Sequence, residues 1–226
     1  MNMHVPDKKW NQIWSILGRL VFLVGSTVGI GLAGGDTLTR HPIGLIYMAL
    51  WNVWWAITFI GRKKGQKSAY DQGQKWLVIL SGSLSIPYMI VVPALEYAHF
   101  TGPIPRNGML SWTGLVVFAI GIAIQAVAMW QLRSFYTIRL NVKPDQALVT
   151  TGLYRRIRHP GYLSNLVAIL GIGLAMSSIA MLILTIFIFA LIHFRINSEE
   201  KMLMSAFGDQ YRQYSQETWR LMPYIY

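Results

Sequence analysis

The chain has 226 residues, enough for one domain or two small ones. Hydrophobic residues make up 54% of it and charged residues 13%, about half the charged share of a typical soluble domain. This composition excludes an ordinary soluble globular protein and predicts a polytopic membrane protein. The absence of cysteine excludes a disulfide framework, a thiolate-bound metal and a cysteine nucleophile.

Four apolar segments in the first part of the chain are each long enough for a membrane helix, which needs about 20 residues. They run from Ile13 to Ala33, from Ile43 to Ile60, from Trp76 to Ala98 and from Met109 to Leu132. Glu96, near the outer end of the third segment, is interpreted as a structural acid.

A longer apolar stretch runs from Tyr162 to Phe194. As one helix it would be roughly 45 Å long, too long to stand untilted in a hydrocarbon core of about 30 Å. Gly171, Gly173 and the pair Ser177-Ser178 lie near its middle and predict a hairpin of two short helices. No strand precedes the two glycines, so they predict close helix packing rather than a dinucleotide-binding loop.

The distribution of basic residues tests this six-span topology. Seventeen of the 20 Lys and Arg residues fall in the four segments that it places inside, and only Arg40 and Arg106 fall in the outer loops. Cytoplasmic loops carry such an excess, so both termini are predicted to be cytoplasmic. The net charge of +11 therefore indicates orientation rather than a nucleic-acid-binding surface, and membrane lipids are the expected partners.

The predicted fold is an all-α integral membrane domain over residues 1–226, with about six transmembrane helices. Residues 1–108 would form an N-terminal three-helix part and residues 109–226 a functional core. An amphipathic cytoplasmic tail helix is predicted from a stripe of apolar and aromatic residues at helical spacing, Leu203, Phe207, Tyr211 and Tyr214. We interpret this stripe as packing the tail against the membrane-side core. The expected location is the inner membrane for a bacterial protein and the endoplasmic reticulum for a eukaryotic one.

Polar residues flank the predicted hairpin on both sides. Arg158, His159 and Tyr162 precede it, and Arg195 with the pair Glu199-Glu200 follows it. Because a hairpin returns its ends to one side of the membrane, we expect these side chains to lie together. Ionisable groups at the membrane are costly and predict a functional site.

Plainer interpretations of these residues exist. His159 precedes a proline and is suited to cap the next helix, and the two glutamates are suited to the first turn of the tail helix, where acids are favoured. The remaining histidines are scattered, so no metal site is predicted.

An ordered set of short motifs extends over the second half of the chain. It consists of Gly152-Leu153-Tyr154, Arg158-His159-Pro160 with Tyr162, Arg195 followed by Glu199-Glu200, and Phe207-Gly208 with Tyr211 and Tyr214. On these motifs, residues from about Gly114 to Pro223 resemble the isoprenylcysteine carboxyl methyltransferase (ICMT) family and its phospholipid methyltransferase relatives. A second triplet, Arg40-His41-Pro42, has no paired carboxylates after it and is interpreted as a chance match.

The resemblance implies a membrane-embedded methyltransferase that uses S-adenosylmethionine and has no Rossmann domain. It assigns the cofactor ammonium to Glu200. The other cofactor-binding residues that it implies are Tyr154, Arg158, His159, Tyr162, Leu163 and Glu199. Arg195 becomes the catalytic residue that orients an acceptor carboxylate, since a guanidinium can grip a carboxylate with two hydrogen bonds.

The acceptor is less well defined than the cofactor. Gln125 stands where the family is expected to have a second substrate-binding arginine, and it brings no charge. The expected acceptor is a lipophilic or prenylated carboxylate, such as an isoprenylcysteine or a related isoprenoid acid. A phospholipid amine or a small thiol is an alternative, for which His159 or a glutamate would serve as the base.

A non-catalytic scaffold or transporter is the alternative from another functional class. Transporters often show repeated halves and charges near the middle of the membrane. This sequence shows neither. It does not determine the oligomeric state.

Overall fold

The computed structural model describes residues 8–61, 75–100, 105–106, 108–132 and 147–223, with residues 8–11 and 75–85 described by their backbone alone. These residues form seven α-helices and one short 3₁₀ helix, Gly152–Arg155. The α-helices are α1 Lys8–Thr39, α2 Pro42–Gly61, α3 Lys75–His99, α4 Met109–Leu132, α5 Pro160–Ala175, α6 Ile179–Phe207 and α7 Asp209–Glu217. Within the described ranges the only β-type pairing is an isolated parallel bridge between Ile157 and Trp219, so the predicted all-α class is confirmed.

Four of the described helices are long and apolar enough to cross a membrane, namely α1, α2, α4 and α6. Their outer surfaces are apolar: Leu32 on α1 is 80% exposed and Ile186 on α6 is 72% exposed. Such large side chains face outward at low cost only where the surroundings are hydrocarbon. The chain is therefore an integral membrane protein, whereas its six spans stay a prediction because α5 is shorter than a full span.

The predicted hairpin is present, but its second arm is not short. Helix α5 ends at Ala175, and α6 begins at Ile179 and continues for 29 residues, well past the apolar stretch that ends at Phe194. The helix continues because its polar part still buries Ile196 and Met202. It ends where Gly208 adopts a φ of +54°, a value that glycine tolerates best.

This extension corrects two sequence interpretations. Glu199 and Glu200 lie inside α6 rather than in the first turn of a tail helix. The predicted stripe is divided at Gly208, since Leu203 and Phe207 belong to α6 whereas Tyr211 and Tyr214 belong to the nine-residue α7.

Glycines allow α4 and α5 to pack with their backbones in contact. A Cβ atom at Gly114 would overlap the backbone of Ala175, and a Cβ atom at Gly171 would overlap the backbone nitrogen of Phe118. Small residues at such a crossing are typical of helices that associate in membranes. The prediction that Gly171 serves close packing is confirmed, and this contact fixes the first arm of the hairpin against α4.

The tip of the hairpin is held by Glu96 of α3. One carboxylate oxygen accepts a hydrogen bond from the hydroxyl of Ser178, and the other accepts one from the backbone N–H of Ala180 at 3.3 Å. Ser178 is also the N-cap of α6, where its hydroxyl accepts from the backbone N–H of Met181. Glu96 thus satisfies free donors at the start of α6, which confirms its structural role.

The second Arg-His-Pro triplet likewise has a local structural role. The ring nitrogen Nδ1 of His41 accepts a hydrogen bond from the backbone N–H of Ile43 at 3.2 Å, at the start of α2. Arg40 forms an exposed ion pair with Asp36 one turn earlier. The triplet therefore begins a helix.

Replacing Gly171 with alanine should destabilise the protein, because the new methyl group meets backbone atoms of α4 that cannot rotate away. Overpacking of this kind costs about 1–3 kcal/mol, which should lower the thermal unfolding midpoint in detergent by several degrees. Gly25→Ala is the matched control, since a Cβ atom at Gly25 has nothing within 4 Å. The control should be neutral or slightly stabilising, and equal midpoints for both variants would contradict the packing account.

Candidate active site

The C-terminal segment after α7 returns to the loop that precedes α5. The backbone N–H of Arg158 donates to the carbonyl of Trp219 at 2.8 Å, and that of His159 donates to the carbonyl of Arg220 at 3.1 Å. Leu221 is fully buried in a small apolar cluster with Leu166, Ile192 and Ile196. We call residues 218–221 the tail segment; it brings Arg220 to the base of the hairpin.

The carboxylate of Glu200 lies at the centre of the polar groups gathered here. Its Oε1 accepts from Arg158 Nε at 2.8 Å and lies 3.4 Å from Nε2 of His159. Its Oε2 pairs with Arg220 Nη2 at 2.8 Å. Glu200 thus joins the loop before α5, helix α6 and the tail segment through charge-assisted hydrogen bonds, which are stronger than neutral ones.

Arg158 extends this connection to α7. Its Nη1 donates to the backbone carbonyl of Ser215 at 2.7 Å and also to the carbonyl and hydroxyl of Thr218. These contacts hold the end of α7 in place, and the Arg158 side chain that makes them is only 9% exposed. Arg158 therefore has a clear structural role, while its role in cofactor binding stays a prediction.

A second set of hydrogen bonds joins Glu199, Tyr162 and Arg195. The hydroxyl of Tyr162 donates to Glu199 Oε2 at 2.6 Å and accepts from Arg195 Nε at 2.6 Å. The Arg195 guanidinium carbon also lies 5.8 Å from the centre of the Tyr162 ring. Tyr162 therefore fixes the direction of Arg195.

His159 links the contacts around Glu200 to those around Tyr162. Its buried ring lies between the glutamates, with Nδ1 3.9 Å from Glu199 Oε1 and Nε2 3.4 Å from Glu200 Oε1. The residue occupies the N-cap position of α5, but its side chain makes no capping hydrogen bond. The interpretation of His159 as the capping residue of α5 is confirmed for its backbone, whereas its ring turns toward the carboxylates.

The structure thus brings together most of the predicted site residues. We call the group of Arg158, His159, Tyr162, Arg195, Glu199, Glu200 and Arg220 the charged cluster. Within it, three guanidinium groups face two carboxylates, which leaves an excess of positive charge next to the membrane-spanning part of α6.

Two predicted site residues, Tyr154 and Leu163, contact groups outside the charged cluster. The carbonyl of Tyr154 accepts a hydrogen bond from the Tyr214 hydroxyl at 2.7 Å, which ties the 3₁₀ helix to α7. Leu163 packs against the apolar cluster around Leu221.

Gln125 lies in the contact between α4 and α2. Its side-chain oxygen accepts from the indole N–H of Trp54, and its nitrogen donates to the Thr58 hydroxyl at 2.9 Å. A role of Gln125 in binding an acceptor stays a prediction, while the structure gives it a packing role.

Arg220 and Tyr211 are the residues of this region that the sequence analysis did not assign to a site. No local pattern marks Arg220, which joins the charged cluster only because the tail segment folds back. Tyr211 was part of the helical stripe attributed to packing. Its side chain is 1% exposed, and its hydroxyl has no hydrogen-bond partner among the described residues.

Both tyrosines of α7 are protonated at neutral pH. Burial raises the pKa of Tyr214 to about 12, against an opposing effect of Arg158. Burial, and next the negative charge of Glu200, raises the pKa of Tyr211 well above its usual range. Each hydroxyl can therefore donate a hydrogen bond.

A surface cavity of about 420 Å³ opens where α4 ends, close to the 3₁₀ helix. Its lining residues are Trp130, Gln131, Leu148, Val149, Thr150 and Thr151. The Gln131 side chain accepts from the backbone N–H of Leu153 at 2.9 Å, which holds this loop to α4. The same loop leads directly into Arg158 and His159, so the cavity and the charged cluster lie along one continuous segment.

Residues 112–205 match the sequence profile of the isoprenylcysteine carboxyl methyltransferase (ICMT) family. A protein of Oryza sativa subsp. indica, named a probable protein-S-isoprenylcysteine O-methyltransferase, is 32% identical over 166 residues. The match covers 70% of this chain and 87% of the rice protein. The chain belongs to the ICMT family.

Two further comparisons agree with this membership. The protein-S-isoprenylcysteine O-methyltransferase of Dictyostelium discoideum is 24% identical over 200 residues, covering 81% of this chain and 76% of that protein. The solved structure of a eukaryotic intramembrane Ras methyltransferase, ICMT, shares the fold with a TM-score of 0.56 at 18% identity. That match covers 98% of this chain and 88% of the other. The predicted family and enzyme class, a methyltransferase, are confirmed.

In this ICMT family member, Arg158→Ala should lower stability strongly. The substitution leaves Glu200 with one arginine fewer and removes the donors of two backbone carbonyls. Breaking one partner of a buried ion pair costs about 3–5 kcal/mol, and unfolding in detergent measures the loss.

Arg212→Ala is the matched control, because Arg212 forms an exposed ion pair with Asp209. Such pairs contribute about 0–1 kcal/mol, so the control should unfold close to the wild-type midpoint. Similar midpoints for the two variants would show that Arg158 does not hold the tail segment in place.

Proposed function

We propose that this enzyme transfers a methyl group from S-adenosylmethionine to the carboxylate of a lipophilic acceptor, of the isoprenylcysteine class, at the cytoplasmic face of the membrane. The names of its relatives, which act on protein isoprenylcysteines, support the substrate class. The observation that carries the choice of a carboxylate is the position of Arg195 in a cluster with excess positive charge.

The charged cluster fits the amino-acid end of this cofactor. That end carries an ammonium and a carboxylate, and the cluster offers carboxylates for the first and guanidinium groups for the second. When bound, S-adenosylmethionine supplies an electrophilic methyl group and leaves as S-adenosylhomocysteine. The cavity between α4 and residues 148–151 offers further space beside the same loop.

The geometry favours Glu199 over Glu200 as the partner of the cofactor ammonium. Both oxygens of Glu200 already pair with arginines, which compensate its charge. Glu199 accepts a hydrogen bond from the neutral Tyr162 hydroxyl, and it is 26% exposed against 13% for Glu200. We therefore assign the ammonium to Glu199 and give Glu200 the role of anchoring the arginines.

Arg195 is placed to receive an acceptor that arrives from the bilayer. It lies one helical turn before Glu199, and the α6 residues before it, from Ile179 to Phe194, include no Asp, Glu, Lys or Arg. Tyr162 holds its Nε, and a guanidinium can still present its other N–H groups to a carboxylate in a bidentate fashion. A carboxylate is ionised at neutral pH, so the enzyme has only to orient it and exclude water.

The full topology belongs to the same proposal. With α3 and α5 as the remaining spans, the chain crosses the membrane six times and both termini are cytoplasmic. Helix α5 is about 24 Å long, shorter than a hydrocarbon core of about 30 Å. The polar hairpin tip with Ser177 and Ser178 would then lie below the outer surface, where Glu96 satisfies it.

Binding of S-adenosylhomocysteine to detergent-purified protein tests the cofactor site. Wild type should bind in a calorimetric titration, and Glu199→Gln should weaken binding at least about tenfold, the equivalent of 1.4 kcal/mol. Glu200→Gln should instead lower the unfolding midpoint without ligand, because it removes the charge that holds two arginines.

Glu217→Gln serves as the control, since Glu217 is exposed at the end of α7. It should change neither binding nor stability. Equal weakening of binding by the two cluster variants, with unchanged midpoints, would contradict the division of roles. No binding by folded wild-type protein would contradict the proposed function itself.

Methyl-labelled cofactor with a panel of acceptors tests the reaction. A prenylated cysteine should give volatile, base-labile label, as expected of a methyl ester, whereas aminophospholipids and small thiols should give none. Arg195→Ala should slow this turnover at least about 100-fold, because it removes charge-assisted hydrogen bonds to the acceptor, and should retain S-adenosylhomocysteine binding.

Arg155→Ala is the matched control, because Arg155 is an exposed cation at the end of the 3₁₀ helix before α5. It should preserve turnover. Base-stable label would indicate N- or S-methylation and would reject the carboxylate acceptor.

A further inference from the structure

The hydroxyl of Tyr211 differs from every other polar group described around the charged cluster. The Tyr211 side chain is fully enclosed, yet no described residue accepts or donates a hydrogen bond at its hydroxyl. Leaving a buried hydroxyl unpaired is costly, so such groups nearly always have a partner. An unpaired hydroxyl inside a polar site therefore indicates that a ligand supplies the partner.

Helix α7 holds Tyr211 beside the charged cluster, since the charges of Glu200 and Arg158 reach its hydroxyl. Arg158 also binds the end of this helix, where it donates to the backbone carbonyl of Ser215 and to the hydroxyl of Thr218. The other tyrosine of α7, Tyr214, does have a hydrogen-bond partner, since its hydroxyl donates to the carbonyl of Tyr154 at 2.7 Å.

The charges around Tyr211 indicate which ligand group would meet it. Glu200, Arg158 and Glu199 all influence its hydroxyl electrostatically. These three residues belong to the charged cluster, which we propose holds the amino-acid end of the cofactor. A neutral phenol that stays protonated is a hydrogen-bond donor, and a ligand carboxylate is the acceptor that this end provides.

We propose that Tyr211 is a cofactor-binding residue whose hydroxyl donates a hydrogen bond to the carboxylate of S-adenosylmethionine. This inference rests on the proposed function and adds a contact from α7. The residue lies outside residues 112–205, the part of the chain that matches the family profile. Helix α7 thereby serves as one wall of the cofactor site as well as a packing element.

Tyr211→Phe tests the proposal, because it removes one oxygen and keeps the packing. Without ligand, its unfolding midpoint should equal or exceed that of wild type, since an unpaired buried hydroxyl is lost. Its affinity for S-adenosylhomocysteine should fall about three- to tenfold. Its affinity for 5′-methylthioadenosine, which lacks the amino-acid end, should not change.

Tyr214→Phe is the matched control on the same helix. It should lower the midpoint without ligand, because the bond to Tyr154 is lost, and should leave S-adenosylhomocysteine affinity nearly unchanged. Wild-type affinity in Tyr211→Phe, or equal weakening for both nucleosides, would overturn the proposed contact. Failure of wild-type protein to bind either nucleoside would instead reject the proposed function, so the two failures are distinguishable.

Discussion

The neutralisation of Glu200 is the interaction on which the rest of this site depends. A carboxylate at the edge of a membrane loses favourable hydration, and it is retained only where cations and hydrogen bonds replace water. Here two arginines from distant parts of the chain meet its two oxygens. Because one precedes the hairpin and the other lies in the tail segment, satisfying one charge requires three parts of the fold to converge.

This requirement explains the shape of the C-terminal half. Helix α6 must extend beyond its apolar part to carry Glu200 to the arginines, and the chain must then reverse at Gly208 to return Arg220. The glycine contact between α4 and α5 fixes one arm of the hairpin, while Glu96 secures the tip. Apolar packing thus fixes the position of the hairpin against α4, and ion pairs hold the open end of the hairpin to the tail segment.

The sequence predicted what depends on local pattern and on the order of motifs. The bounds of α4, the break near Ser177 and the meeting of Arg158, His159, Glu199 and Glu200 follow from hydropathy and from the return of a hairpin to one side. The length of α6 did not follow, because hydropathy marks where a helix leaves hydrocarbon and not where it ends. Arg220 was missed because its role depends on a backbone bridge, Ile157 to Trp219, between segments far apart in sequence.

Gln125 and Tyr211 both show that the sequence does not reveal which polar side chains already have hydrogen-bond partners. Gln125 attracted a functional interpretation because it stands where the family is expected to have a substrate-binding arginine, yet its side chain forms hydrogen bonds with Trp54 and Thr58. Tyr211 attracted a packing interpretation, yet its hydroxyl has no hydrogen-bond partner in the part of the chain that the structure describes. Spacing along a helix reports only which face a residue occupies. Whether a polar group on that face is available to a ligand depends on its hydrogen-bond partners, and these become known only when the neighbouring helices are in place.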